Sequence, residues 1–232
     1  MTQNDSSPIL SVSDLEFRIR HSGFFSRKKQ KRLWSTGNIT VTSPGIVLLI
    51  GHNGCGKTTL IRCLLGLMRP SRGHINWFGS PQMPPKNIGY LPELPVLPAR
   101  TTVAEILGAL LGLDPNSLPE LESSALITAG LKIGDLLNRP AHGLSKGQQQ
   151  RLLLTLSVLS KPKGFVLDEP FSGLDPWART ELAELMVNLA EAGHFILISS
   201  HDAPRHLRNH VRETWMIHNE QLTITPGCAL PE

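Results

Sequence analysis

Aromatic side chains are scarce in this chain: one Tyr, four Trp and seven Phe make up 5% of its 232 residues. The core must therefore come mostly from aliphatic side chains, and each Trp becomes a landmark. Cysteine is rare too. Cys55, Cys63 and Cys228 are an odd number without C-x-x-C spacing, which excludes a disulfide framework and a structural zinc site and fits a reducing cytoplasm. Apolar runs are short, interrupted by charge, glycine or proline well before the roughly 20 residues of a membrane helix. The opening Met1-Thr2-Gln3-Asn4-Asp5 lacks a signal-peptide pattern, so any membrane passage is expected to belong to another chain. Excess charge is small as well: net +4 and a pI near 9.1 are too mild for a nucleic-acid binder, and no nucleic-acid partner is expected.

A composition of 40% hydrophobic and 18% charged residues suits one large globular domain, or a core with a subdomain. The most informative stretch follows the apolar run Ile46-Val47-Leu48-Leu49-Ile50. Gly51, His52, Asn53, Gly54, Cys55, Gly56, Lys57 and Thr58 fit G-x-x-x-x-G-K-[ST], and Thr59-Leu60-Ile61-Arg62 continues as a helix. Glycines let successive backbone N–H groups turn inward around phosphate oxygens, and the positive end of the following helix faces the anion. This predicts a nucleoside triphosphate site, with Lys57 on the β/γ-phosphates and Thr58 on Mg²⁺.

Two further stretches carry chemistry. Phe165-Val166-Leu167 leads into the adjacent carboxylates Asp168 and Glu169, suited respectively to holding Mg²⁺ and to polarising a water. Upstream, Leu144-Ser145-Lys146-Gly147-Gln148 precedes a helical run, where a serine hydroxyl and a glycine N–H at a helix start form a second anion site. In these motifs and in their order, the chain resembles the ATP-binding subunit of ABC (ATP-binding cassette) transporters, whose signature reads LSGGQ. The resemblance runs from about Leu10 to Leu222. It implies a D-loop at Ser172-Gly173-Leu174-Asp175 and a switch histidine at His201, which ends the strand Phe195 to Ser200.

The resemblance further implies that two subunits, identical or related, sandwich two ATP molecules head to tail. Ser145, Lys146, Gly147 and Gln148 of one then face the phosphate loop of the other. It also implies transmembrane permease partners, which place the chain at the inner face of the cell membrane. Two positions depart from the family pattern. Glu93 stands where most members have a glutamine that touches Mg²⁺, and a carboxylate there can still reach the metal. Lys146 replaces the first signature glycine. Both changes resemble export-type subunits of the ABC-2 kind, so the expected function is ATP hydrolysis powering an exporter. The alternative is a non-transport ABC ATPase that drives a soluble assembly or repair complex.

The adenine-stacking aromatic is the least legible feature. Alignment puts its place near Ile19, but the stretch His21 to Arg32, with five basic residues, reads as an enlarged hairpin in which Phe24 or Phe25 supplies the ring; Phe25 is preferred. Trp34 reads as core. The expected fold is α/β, a P-loop NTPase core of ABC ATPase type with an N-terminal antiparallel β subdomain and a helical signature subdomain. Residues 1–92 and 149–232 form the ATP-binding core, and residues 93–148 the helical part. The latter is marked by Val103, Ile106, Leu107 and Leu110 at helical spacing. Near the end, Leu207 and Val211 are expected on the inner face of one helix, and no appended regulatory domain is expected.

Overall fold

The computed structural model of the chain describes residues 7–20, 30–81, 83–112, 133–201 and 205–229. Phe24 and Phe25, and with them the preferred adenine-stacking residue, lie outside the described residues, as does most of the basic hairpin.

Three apolar runs make the centre: β4 (Gly45–Ile50), β7 (Gly164–Asp168) and β8 (Phe195–Ser199). Every residue of β7 and β8 is buried, as parallel strands covered on both faces require. Alternate residues serve opposite layers. Val47, Leu49, Val166 and Leu197 pack on one face with Leu60, Ile61 and Leu64 of α1 (Lys57–Leu64). Ile46, Leu48, Phe165, Leu167, Ile196 and Ile198 pack on the other. They meet Leu154 of α3 (Lys146–Leu159) and Leu182, Leu185, Met186 and Leu189 of α4 (Pro176–Glu191).

Around this centre the described residues form one sheet of ten strands. The others are β1 (Leu10–Arg20), β2 (Gln30–Ser35), β3 (Ile39–Val41), β5 (Arg72–Trp77), β6 (Ile88–Leu91), β9 (Val211–His218) and β10 (Gln221–Pro226). The order is β3-β1-β2-β10-β9-β4-β8-β7-β6, with β5 attached to β1. Pairing is parallel from β6 through β7, β8 and β4 to β9, and antiparallel where β1 meets β2, β3 and β5. Near its start β1 pairs with β3 and β5; from Glu16 onward it pairs with β2, with a bulge between Phe17 and Arg18 in that ladder, and the sheet curls over the first face. Trp34, Trp77 and Trp215 are fully buried beneath this curl.

A third apolar cluster lies apart from the sheet. It joins Val103, Ile106 and Leu107 of α2 (Val103–Leu111) to Leu136, Leu137, Ala141, Leu144, Leu152 and Leu156. Leu110, expected on the same inner face, is 69% exposed, while its neighbour Leu111 packs against the cluster in its place. Leu207 and Val211 are both buried, but they do not share a helix: α5 spans only Arg205–Arg208, and Val211 opens β9. No helix among the described residues is long and apolar enough to cross a membrane.

The parallel pairing fixes the site. Because β4, β7 and β8 run the same way, the loops after Ile50, Asp168 and Ser199 emerge at one edge of the sheet, the carboxyl ends of its strands.

Candidate functional site

The loop after β4 wraps tightly. Gly56, the N-cap of α1, sits at φ 102°, a left-handed conformation that side chains rarely adopt. Space excludes them too: a Cβ there would lie 2.6 Å from Leu33 Cδ2 and 2.8 Å from the Trp34 indole nitrogen. Trp34 is thus the floor under the loop, and its buried N–H has no hydrogen-bond partner among the described residues. Cys55 is buried behind the same loop, and burial pushes its thiol pKa up. Cys63, deeper still, is pushed up to about 12 by burial. All three cysteines are free.

Above the loop opens a cleft of about 500 Å³. The P-loop lines it with Asn53, Gly54, Gly56, Lys57, Thr58 and Thr59, and the other walls bring Glu93, Glu169, Ser172 and His201. Lys57 and Glu169 are nearly buried at 7% and 12% exposure and meet at 3.1 Å from Nζ to Oε1. Lys57 also donates to the Gly51 carbonyl at 2.9 Å. The other Glu169 oxygen lies 3.2 Å from His201 Nδ1. A lysine, a carboxylate and an imidazole thus converge over a cradle of amides.

Asp168 sits behind Glu169 and does not line the cleft. Its carboxylate is 1% exposed, has no ion-pair partner among the described residues, and accepts one hydrogen bond, from Ser199 Oγ at 2.7 Å. A buried carboxylate without a cation is expensive, and a divalent ion shared with the Thr58 hydroxyl would supply that charge, so these residues fit Mg²⁺. Ser199 Oγ in turn accepts the Glu169 N–H at 2.8 Å. Sequence reasoning placed Ser199 on its strand and assigned it nothing. The signal was available in register, since Ser199 pairs with Asp168.

The signature residues stand elsewhere. Ser145 caps α3, accepting from the Gln148 N–H at 3.3 Å, while the Gln148 side chain accepts the Ser145 N–H at 3.0 Å, a reciprocal capping box. The Lys146 side chain runs beside Gly173, and Gly147 faces Leu174. None of Ser145, Lys146, Gly147 and Gln148 lines the cleft of its own chain. Asp175 caps α4, accepting the Ala178 N–H at 2.9 Å. Gln150, just beyond the signature, is buried and donates to the Pro170 carbonyl at 2.6 Å, tying α3 to the acid pair of its own chain. His52 is exposed and lines a smaller hollow with Lys31, Arg32 and Glu220. Ile19 and Leu33 supply the apolar part of the main cleft's lining; Leu33 was not anticipated.

Comparison with known proteins agrees with this geometry. The family model described as ABC transporter matches residues 35–172. An uncharacterized ABC transporter ATP-binding protein of Nostoc sp. is 33% identical over 211 residues, covering 87% of this chain and 61% of that protein. The zinc import ATP-binding protein ZnuC of Pseudomonas putida is 36% identical over 168 residues, covering 71% of this chain and 61% of ZnuC. The match thus spans about six tenths of each of these relatives. A solved structure of the ATP binding subunit of an ABC transporter superposes with a TM-score of 0.72 at 28% identity, covering 94% of this chain and 90% of that one. The relatives include an import protein, so they do not bear out the expected export direction. A curled α/β sheet with a P-loop at its carboxyl edge, an acid pair at the end of β7, one strand removed from β4, and these likenesses lead to one conclusion: the chain belongs to the ABC transporter family.

Proposed function

We propose that this chain is an ATP-hydrolysing subunit that powers separate transmembrane permease subunits and works as a dimer with a second copy or a related ATP-binding subunit. The observation that carries the reading is the convergence of Lys57, Glu169 and His201 on the P-loop cleft. Each residue then has a task. Backbone N–H groups from Gly51 to Thr59 and the Lys57 ammonium bind the phosphate oxygens and oppose charge that grows on the γ-phosphoryl group. Thr58 and Asp168 hold Mg²⁺, with Glu93 close enough to the cleft to add a ligand; the ion, when bound, supplies charge neutralisation on the phosphoryl oxygens. Glu169 orients the attacking water and accepts its proton. His201, already against Glu169, contacts the γ-phosphate.

Ser145, Lys146, Gly147 and Gln148 act on the partner's nucleotide, and Asp175 lies along that contact. Their absence from their own cleft supports this division of labour. The base packs against Ile19 and Leu33, with Phe25 a further stacking candidate from the adjoining hairpin. Export is the proposed direction, supported by Glu93 and Lys146, and the chain sits peripherally on the inner membrane face through its permease.

The test is the mass of Glu169→Gln with ATP and Mg²⁺, measured by light scattering on an elution column. A species of twice the 25.5 kDa chain mass, lost when ATP is replaced by ADP, is expected. A monomer under all conditions counts against a homodimeric sandwich.

A further inference from the structure

We propose that Ser199 is a positioning residue that sets the metal-holding carboxylate and the water-orienting carboxylate together, through one hydroxyl. The inference rests on the ATPase reading above. Ser199 Oγ is fully buried, on β8 directly opposite Asp168 in register, and has one proton to give. It donates that proton to Asp168 Oδ1 at 2.7 Å and accepts the Glu169 N–H at 2.8 Å. The Glu169 N–H can only donate, which takes one lone pair of the hydroxyl and leaves its proton for Asp168, whose ionised carboxylate can only accept.

The second bond matters because of where Glu169 sits. β7 ends at Asp168, so the next amide has left the sheet ladder and needs another partner. Glu169 itself adopts φ 47°, a left-handed conformation that is strained for a non-glycine residue. That twist is what turns its side chain toward Lys57 and His201, and the Ser199 hydroxyl holds it. Two residues along the same strand exit, His201 contacts the Glu169 carboxylate. One strand end thus touches the backbone of Glu169 at one point and its side chain at another, while gripping the neighbouring aspartate. Orientation of the metal ligand and of the water-handling group cannot then vary independently.

The test compares nucleotide binding with and without the metal. Affinity for ATP is measured by calorimetry in Mg²⁺ and in EDTA, for the native chain and for Ser199→Ala and Ser199→Thr, with thermal melting in EDTA as the fold control. Ser199→Ala is expected to lose about tenfold of the enhancement that Mg²⁺ gives, while its EDTA affinity stays within about twofold of native, as for loss of a residue supporting a metal ligand. Ser199→Thr, which keeps the hydroxyl, restores the enhancement. An undiminished Mg²⁺ enhancement in the alanine variant overturns the proposal. So does an equal loss in EDTA, which would mark a merely structural role. Should the alanine variant fail to fold, Ser199→Cys, similar in shape and a weak donor, is judged by the same criteria. Failure of the native chain to bind ATP at all would instead sink the ATPase reading, and the two failures are distinct.

Discussion

In the structure the lysine of the P-loop is already engaged. Lys57 Nζ lies 3.1 Å from Glu169 Oε1, both side chains nearly buried, so a nucleotide must draw the ammonium away from the carboxylate before it can use it. At an effective permittivity of about 20, the attraction at that separation is about 5 kcal/mol before desolvation. The net worth of a hydrogen bond between charged groups is about 1.5–3 kcal/mol. Glu169→Gln leaves a neutral acceptor in place and so removes about half of that, roughly 0.75–1.5 kcal/mol. Because this term opposes binding, its loss should tighten ADP affinity about four- to twelvefold. ADP is the right ligand, since it cannot be hydrolysed here and its affinity reports the site alone. Calorimetry in EDTA measures it. Glu169 also repels phosphates by its charge, which acts in the same direction. Glu169→Asp separates the two effects, because it keeps the charge and retracts it from Lys57. A gain approaching that of the Gln variant supports the displaced ion pair. An Asp variant that binds like native, or a Gln variant that binds ADP no tighter, refutes it.

Other outcomes follow from local geometry. Gly56→Ala would push a methyl into Leu33 and the Trp34 ring at φ 102°, and should weaken nucleotide binding by about tenfold or more; native affinity would show that the loop yields more easily than its packing implies. Thr102 accepts the Glu105 N–H at 3.3 Å, and Glu105 returns the contact to the Thr102 N–H at 2.8 Å, so Thr102→Ala should cost about 1 kcal/mol and lower the melting temperature by about 2–4 °C. ATP affinity should be unchanged. For Cys63, burial raises the folded-state pKa from 9.0 to about 12, so its contribution is fully present below pH 9 and is lost as pH rises toward 12. Denaturant titrations across that window should show stability falling with pH, and Cys63→Ala should flatten the slope.

The glycine-rich loop, the acid pair and His201 could be singled out in the sequence because each sits on or beside a short apolar run whose strand character is local. That the three meet at one carboxyl edge comes from the parallel pairing of β4, β8 and β7. What escaped reading depends on register between distant segments. Ser199 matters because it lies opposite Asp168, 31 residues earlier, and Leu33 because β2 crosses beside Gly56. Gln150 reads as one more polar helix residue until its bond to Pro170 is seen. Leu110 went the other way: helical spacing allowed either it or Leu111 to continue the buried face, and it is Leu111 that packs inward.

If the cleft over Gly51–Thr59 is the ATP site, Lys57 and Glu169 have separate roles in it, and equilibrium binding of ATP with Mg²⁺ to the native chain, Lys57→Ala and Glu169→Gln distinguishes them. Lys57→Ala is expected to lose affinity about ten- to a hundredfold, the worth of a charge-assisted phosphate contact, whereas Glu169→Gln binds at least as tightly as native. A Lys57→Ala variant that folds and binds ATP like the native chain would contradict that assignment of the site.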